Sequence, residues 1–140
     1  TFRNSEEPIN MALERSREVK KLLVVYVLDV NTTHYILRNV DEERFPNLRE
    51  ICETEFLERN EQQGRKRIAQ IAEKARHAGI EVKTIFEVGR FGIVCLDLAR
   101  IIQPSVIVTT RSKRPEELKM LYGSPVDELM AQAECTVVPL

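Results

Sequence analysis

The spacing of apolar and polar positions divides the chain into helical and extended segments. Residues 5–19 place Ile9, Ala12, Leu13 and Ser16 on one face at helical spacing. Ser5 stands where a cap is needed, Glu6 and Glu7 favour the positive end of a helix, and Pro8 suits its first turn. Lys20 and Lys21 close the segment. Residues 22–28 follow as an unbroken apolar run rich in β-branched side chains. A run without polar alternation predicts a strand covered on both faces, as in a parallel sheet.

Residues 30–49 are polar and read as a long irregular excursion with room for a short helix. Residues 50–78 carry helix formers, with Ile68, Ile71, Ala72 and Ala75 at helical spacing. The stretch 58–67 has no apolar residue, which predicts a solvated part of a long helix bent near Gly64. Gly79 stops that helix. Residues 80–88 alternate loosely and predict a strand ended by Gly89. Residues 93–102 predict a helix that Pro104 terminates, and residues 106–108 a short buried strand. A polar loop over 109–117, a helix over 125–133 capped by Ser124, and a last strand over 136–138 complete the order. Strands alternating with helices of this length predict βαβ units: an α/β fold with an open, mostly parallel sheet and helices on both faces.

Composition fits one globular domain spanning residues 1–140. The chain has 43% hydrophobic and 31% charged residues, which excludes wholesale disorder. Its 21 basic and 22 acidic residues leave a net charge of −1, so no global basic field draws nucleic acid or an anionic membrane. The longest apolar run falls far short of the roughly 20 residues that a membrane-spanning helix needs. Cys52, Cys95 and Cys135 are widely spaced and odd in number, which favours a reducing, cytoplasmic setting over a disulfide framework.

Candidate chemistry is sparse. His34, in the polar excursion, has no second ligand at metal spacing, and His77 suits the last turn of a helix. The cysteines sit in apolar contexts as core thiols, and Glu50, Glu53, Glu58 and Glu61 form a solvated face. No nucleophile elbow or helical metal-binding pair is present, so no catalytic residue is assigned. One constellation stands out. Gly123, Ser124 and Pro125 open a helix beyond a strand, where backbone N–H groups favour anions. The loop before it holds Arg111, Ser112, Lys113 and Arg114. In an open parallel sheet, ligands bind beyond the carboxyl ends of the strands. The same triplet also suits a plain cap with an early proline.

Taken in order, several segments resemble the universal stress protein family. Residues 4–13 (NSEEPINMAL) look like its first helix, and residues 22–29 (LLVVYVLD) like its second strand ending in an apolar-Asp pair. Residues 79–82 (GIEV) through 87–89 (EVG) look like its third strand, and residues 99–108 (ARIIQPSVIV) like the next helix and strand. Residues 123–130 (GSPVDELM) and 135–140 (CTVVPL) look like its C-terminal block. The resemblance implies a five-stranded parallel sheet of the adenine nucleotide alpha hydrolase-like type, cytoplasmic stress-response roles, homodimers and, in some members, bound ATP or AMP.

Two departures shape the expectations. The family's opening strand, central in its sheet, has no counterpart here, so about ten residues ending in Asp are expected ahead of Thr1. The glycines of ATP-binding members, counted back from Gly123, fall on Lys113 and Thr110; only Gly123 and Ser124 match. Glycine lets backbone approach phosphate closely, which Thr and Lys do not. The expected nucleotide position lies between the strand ends at Val27 and Thr109, beside Thr110, Lys113, Gly123 and Ser124, with a degraded phosphate loop. The alternative is an ATP or AMP sensor using the basic loop 111–114. The last strand, with Thr136, Val137 and Val138, is expected to pair with its twin in a homodimer.

Overall fold

The chain folds as an open parallel α/β arrangement with helices on both faces, as the apolar periodicity requires. The structure, a computed structural model, describes residues 6–111 and 115–140. The elements in order are α1 (Glu7–Val19), β1 (Lys21–Asp29), α2 (Val30–Leu37), α3 (Leu48–His77), β2 (Glu81–Gly89), α4 (Phe91–Ile102), β3 (Val106–Thr109), α5 (Glu116–Tyr122), α6 (Pro125–Gln132) and β4 (Thr136–Pro139). Ser5, the expected cap of α1, lies outside the described residues, as do Ser112, Lys113 and Arg114.

Among the described residues the strands form two parallel pairs. β1 pairs with β2 in the register Lys21↔Glu81 to Asp29↔Gly89, and β3 pairs with β4 from Val106↔Thr136 to Thr109↔Pro139. The two pairs are separate sheets. α1 packs against both β1 and β3 and so spans them, while α3 and α4 each pack on β1 and β2.

The α3–β2 turn shows how sequence fixes a boundary. The Gly79 N–H donates to the Arg76 carbonyl (2.9 Å) and the Ile80 N–H to the Ala75 carbonyl (3.0 Å). This pairing satisfies carbonyls at the helix end and needs a left-handed residue between them. Gly79 supplies it at φ 72°. Ile80 is then buried (2% exposed) at the head of β2.

The excursion over residues 30–49 holds the short helix expected there: Val30–Leu37 form α2, which also carries His34. The β-branched residues here argue weakly for helix, but Asp29 caps the segment and Thr33 and Leu37 are buried. The loop 109–117 is shorter than expected, because α5 begins at Glu116 and buries Leu118. The stretch 58–67 is, as expected, a largely solvated part of a long helix, with one exception. α3 is a single element of 30 residues, and Gly64 is buried within it.

Gly64 lets α3 approach the sheet closely. A Cβ there would lie 2.6 Å from Tyr26 Cε1 and 2.8 Å from Cζ. The Tyr26 ring stacks on its register partner Phe86 at 5.4 Å between centroids, and the Arg65 guanidinium lies 4.7 Å from the Phe86 ring centroid. Burial pushes the Tyr26 phenol up to about 12. Glycine thus serves packing here: the missing side chain lets an otherwise polar helix segment rest on an aromatic pair.

Candidate functional site

The carboxyl ends of the strands carry the residues singled out from the sequence. β1 ends at Asp29, whose carboxylate caps α2 by accepting from the Asn31 N–H (3.4 Å) and the Thr32 hydroxyl (3.1 Å). Val27, half-buried, stands opposite Glu87 in the register. β3 ends at Thr109, half-buried and paired with Pro139. Val27 and Thr109 therefore belong to different sheets, near the carboxyl ends of two strands that are not hydrogen-bonded neighbours.

The chain leaves β3 along β4. The Leu140 N–H donates to the Thr109 carbonyl (3.0 Å) and the Arg111 N–H to the Leu140 carbonyl (2.8 Å). This extends the ladder past the strand and fixes where the next loop starts. Thr110 is exposed. Lys113 lies outside the described residues, so its place is not part of this geometry.

The start of α6 is built as the sequence suggests. Gly123 is exposed at φ 70° with open space where a Cβ would be, and it ends α5 rather than a loop. Ser124 is half-buried and caps α6, its hydroxyl accepting from the Asp127 N–H at 3.5 Å. Pro125 follows at the first helical position, where a missing N–H costs nothing. Asp127 and Glu128 place acidic side chains in the first turn. They already complement the positive end of the helix. The Arg111 guanidinium lies 3.4 Å from the Asp127 carboxylate and 3.7 Å from the Met130 sulfur. The basic loop's described cation is therefore engaged on α6.

A polar cluster that the sequence reading missed joins α2 to α5. Arg38 donates to Glu117 Oε2 at 2.6 Å, Tyr35 donates to the same oxygen at 3.0 Å, and the guanidinium lies 4.0 Å from the Tyr35 ring centroid. Arg38, then Tyr35, holds the Glu117 carboxyl below its ordinary value, and the hydrogen bond to Glu117 raises the Tyr35 phenol. The three residues tie together the segments that follow β1 and β3. Nothing local announced them: Tyr35 and Glu117 are 82 positions apart, one in the excursion after β1 and the other at the end of the loop after β3.

Two clefts lie elsewhere. One, of about 290 Å³, is lined by Glu42, Asn47, Arg49, Glu50 and Glu53. The other, of about 460 Å³, runs between α1 and α3 beside Ile9 and Ile71. At its edge Glu6 bridges Lys74 (2.5 Å) and Arg67 (3.2 Å), which lowers its carboxyl pKa. None of the described residues among the sequence-selected site residues lines either cleft. Among the described residues no group of three or more His, Cys, Asp or Glu side chains is placed to hold a metal ion. Burial pushes the Cys95 thiol up to about 11, which leaves it a poor nucleophile. No described helix is long and apolar enough to cross a membrane.

The geometry agrees with what the chain is similar to. Hypothetical protein MJ0577, from a solved structure described as a test case of structural genomics, matches with a TM-score of 0.63 at 15% identity, covering 94% of this chain and 85% of that one. Universal stress protein UspA from Lactobacillus plantarum matches with a TM-score of 0.69 at 16% identity, covering 96% of this chain and 88% of that one. At such identities the likeness speaks for the fold. No curated protein matches the sequence. The model of the universal stress protein family matches residues 4–138, nearly the whole chain. With the alternating helices and parallel strands described above, this places the chain in the universal stress protein family.

Proposed function

We propose that this universal stress protein is a cytoplasmic, dimeric stress-response module with a degraded phosphate loop, rather than an ATP carrier or an enzyme. One observation carries the reading: the start of α6 is already satisfied from within. The Ser124 hydroxyl accepts from its own helix, Asp127 and Glu128 occupy the first turn, and Arg111 is paired with Asp127. A phosphate arriving there meets the Asp127 carboxylate in the first turn. By the glycine spacing of ATP-binding family members, Thr110 and Lys113 stand at sequence positions where those members have glycine. An exposed cation returns only about 0–1 kcal/mol per pair.

Calorimetry with ATP tests this. The expected affinity of the wild type is no tighter than roughly millimolar, about −4 kcal/mol. Thr110→Gly combined with Lys113→Gly is expected to tighten it. Micromolar binding by the wild type would overturn the reading in favour of an ATP or AMP sensor using the basic loop 111–114. No gain in the double variant would show that the glycine positions do not control the site.

The assembly part of the proposal rests on β4. Its Val137 and Val138 are half-buried at the edge of a two-stranded sheet, with Thr136 exposed beside them. Apolar edges of this kind invite pairing, and a two-fold axis lets the same strand pair with itself. Val138→Lys is expected to shift the light-scattering mass from dimer to monomer. A monomeric wild type, or an unmoved dimer, would remove this part.

A further inference from the structure

Charge is unevenly distributed along the chain. Residues 41–60, the entry to α3 and its first turns, hold seven acidic and three basic side chains, a net of −4 against −1 for the whole chain. Acidic side chains near a helix start complement its positive end, but the effect fades beyond the first turn. Glu50 stands in that turn; Glu53, Glu55 and Glu58 stand past it. Glu42 pairs with Arg49 at 3.3 Å. Among the described residues, no basic side chain lies within ion-pair distance of Glu50, Glu53, Glu55 or Glu58.

The same segment exposes large apolar side chains. α3 buries Gly64, Ile68, Ala72 and Ala75, and none of residues 48–63 is buried. Phe45, Leu48 and Ile51 are 51%, 37% and 55% exposed. They follow one another at three-residue spacing. The Leu48 N–H donates to the Phe45 carbonyl and the Ile51 N–H to the Asn47 carbonyl, both at 3.1 Å. The cleft of about 290 Å³ lined by Glu42, Asn47, Arg49, Glu50 and Glu53 lies among them. A single exposed apolar residue is ordinary on any surface. Three at successive turns, rimmed by unpaired carboxylates, have the make-up of an interaction face.

We propose that the entry to α3, with Phe45, Leu48 and Ile51 set among Glu50, Glu53 and Glu55, is a docking face for a basic amphipathic helix of another protein. Apolar side chains spaced three and four apart on that helix cover Phe45, Leu48 and Ile51, and its flanking Lys or Arg residues meet the carboxylates. Charge selects this class of partner. A net of −4 over residues 41–60 repels phosphate-bearing polymers and anionic bilayers, so neither nucleic acid nor a membrane surface fits. The inference is independent of nucleotide binding and of pairing through β4.

The probe is a synthetic peptide of about 18 residues with Leu at helical spacing and Lys elsewhere. Two controls are a scrambled peptide of the same composition and a peptide with Glu in place of Lys. Binding to the 140-residue chain is followed by calorimetry and by amide shifts of labelled protein. The expected result is binding of the amphipathic Leu/Lys peptide alone, with shifts concentrated in residues 45–55. Phe45→Ser combined with Ile51→Ser is expected to weaken it at least about tenfold. Glu50→Gln combined with Glu53→Gln is expected to weaken it and to flatten its salt dependence. None of these four side chains is buried, and an unchanged urea midpoint checks that each variant is folded. If the serine variant has a lowered midpoint, the glutamine variant decides. No binding of the amphipathic peptide, equal binding of either control, shifts centred elsewhere, or undiminished binding by a folded variant overturns the proposal. So do shifts at residues 45–55 that grow with protein concentration without peptide, which would assign the face to a second copy.

Discussion

The β1–β2 half of the molecule and the β3–β4 half are held together differently. In the first, two strands of nine residues each lie under a 30-residue helix. Their pairing is reinforced by the Tyr26–Phe86 stack, with Gly64 and Arg65 of α3 resting on it. In the second, the strands have four residues each, and the apolar support is concentrated in Leu118, Val126 and Leu129 of the short helices α5 and α6. Packing of α1 on β3 and of α4 on α6 adds to this, along with exposed polar contacts such as Arg111–Asp127 and Arg38–Glu117. The long half carries order through continuous packing. The short half depends on a few apolar anchors and holds Thr109, Thr110, Gly123 and Ser124, four of the five described residues singled out for a ligand.

The largest expected effect follows from that concentration. Leu129 is fully buried (0% exposed). Leu129→Ala is expected to cost about 2–5 kcal/mol in urea unfolding. Amide exchange in β3 and β4 should rise more than in β1 and β2. Equal acceleration in both halves would mean that they unfold as one unit and would erase the distinction.

The long half is probed at Gly64. An alanine in a helix interior ordinarily gains about 0.5–1 kcal/mol over glycine. Here its Cβ would overlap the Tyr26 ring at 2.6 Å. Gly64→Ala is therefore expected to destabilise by about 1–3 kcal/mol, through overpacking. Adding Tyr26→Leu should recover part of that loss, and a double-variant cycle measures the coupling. A stabilised Gly64→Ala protein would show that the ring moves freely and that the stack does not organise this half.

The smallest effect belongs to the polar clamp between α2 and α5. Arg38, then Tyr35, holds the Glu117 carboxyl below its ordinary value of 4.5. A depressed folded-state pKa gives a contribution that is complete above the unfolded value and is lost as pH falls through the folded one. Amide protection in α5 should therefore fall below pH 4.5 and be insensitive to pH above it. Glu117→Gln should remove the acid dependence and leave the global urea midpoint almost unchanged, because the pair is exposed. Unaltered acid dependence in Glu117→Gln would assign it to other carboxylates.

The sequence by itself determined the order of elements wherever local chemistry is decisive. The unbroken apolar run became β1, Gly79 ended α3 through its left-handed turn, and Ser124 with Pro125 opened α6. Those features depend on neighbours a few residues apart, so periodicity and caps reveal them. Tertiary structure decided the rest. α2 is helical although its β-branched residues argue weakly for helix, because Asp29 caps it and Thr33 and Leu37 are buried. Gly64 looks like a weak point of a helix in sequence and is a contact point in space, since its reason is Tyr26, far away in the chain. The candidate site shows the same division. Gly123 and Ser124 were legible as a helix start, but the engagement of Arg111 by Asp127 and the Tyr35–Arg38–Glu117 cluster were not. Side chains that meet only after strands and helices pack leave no spacing in the sequence to read.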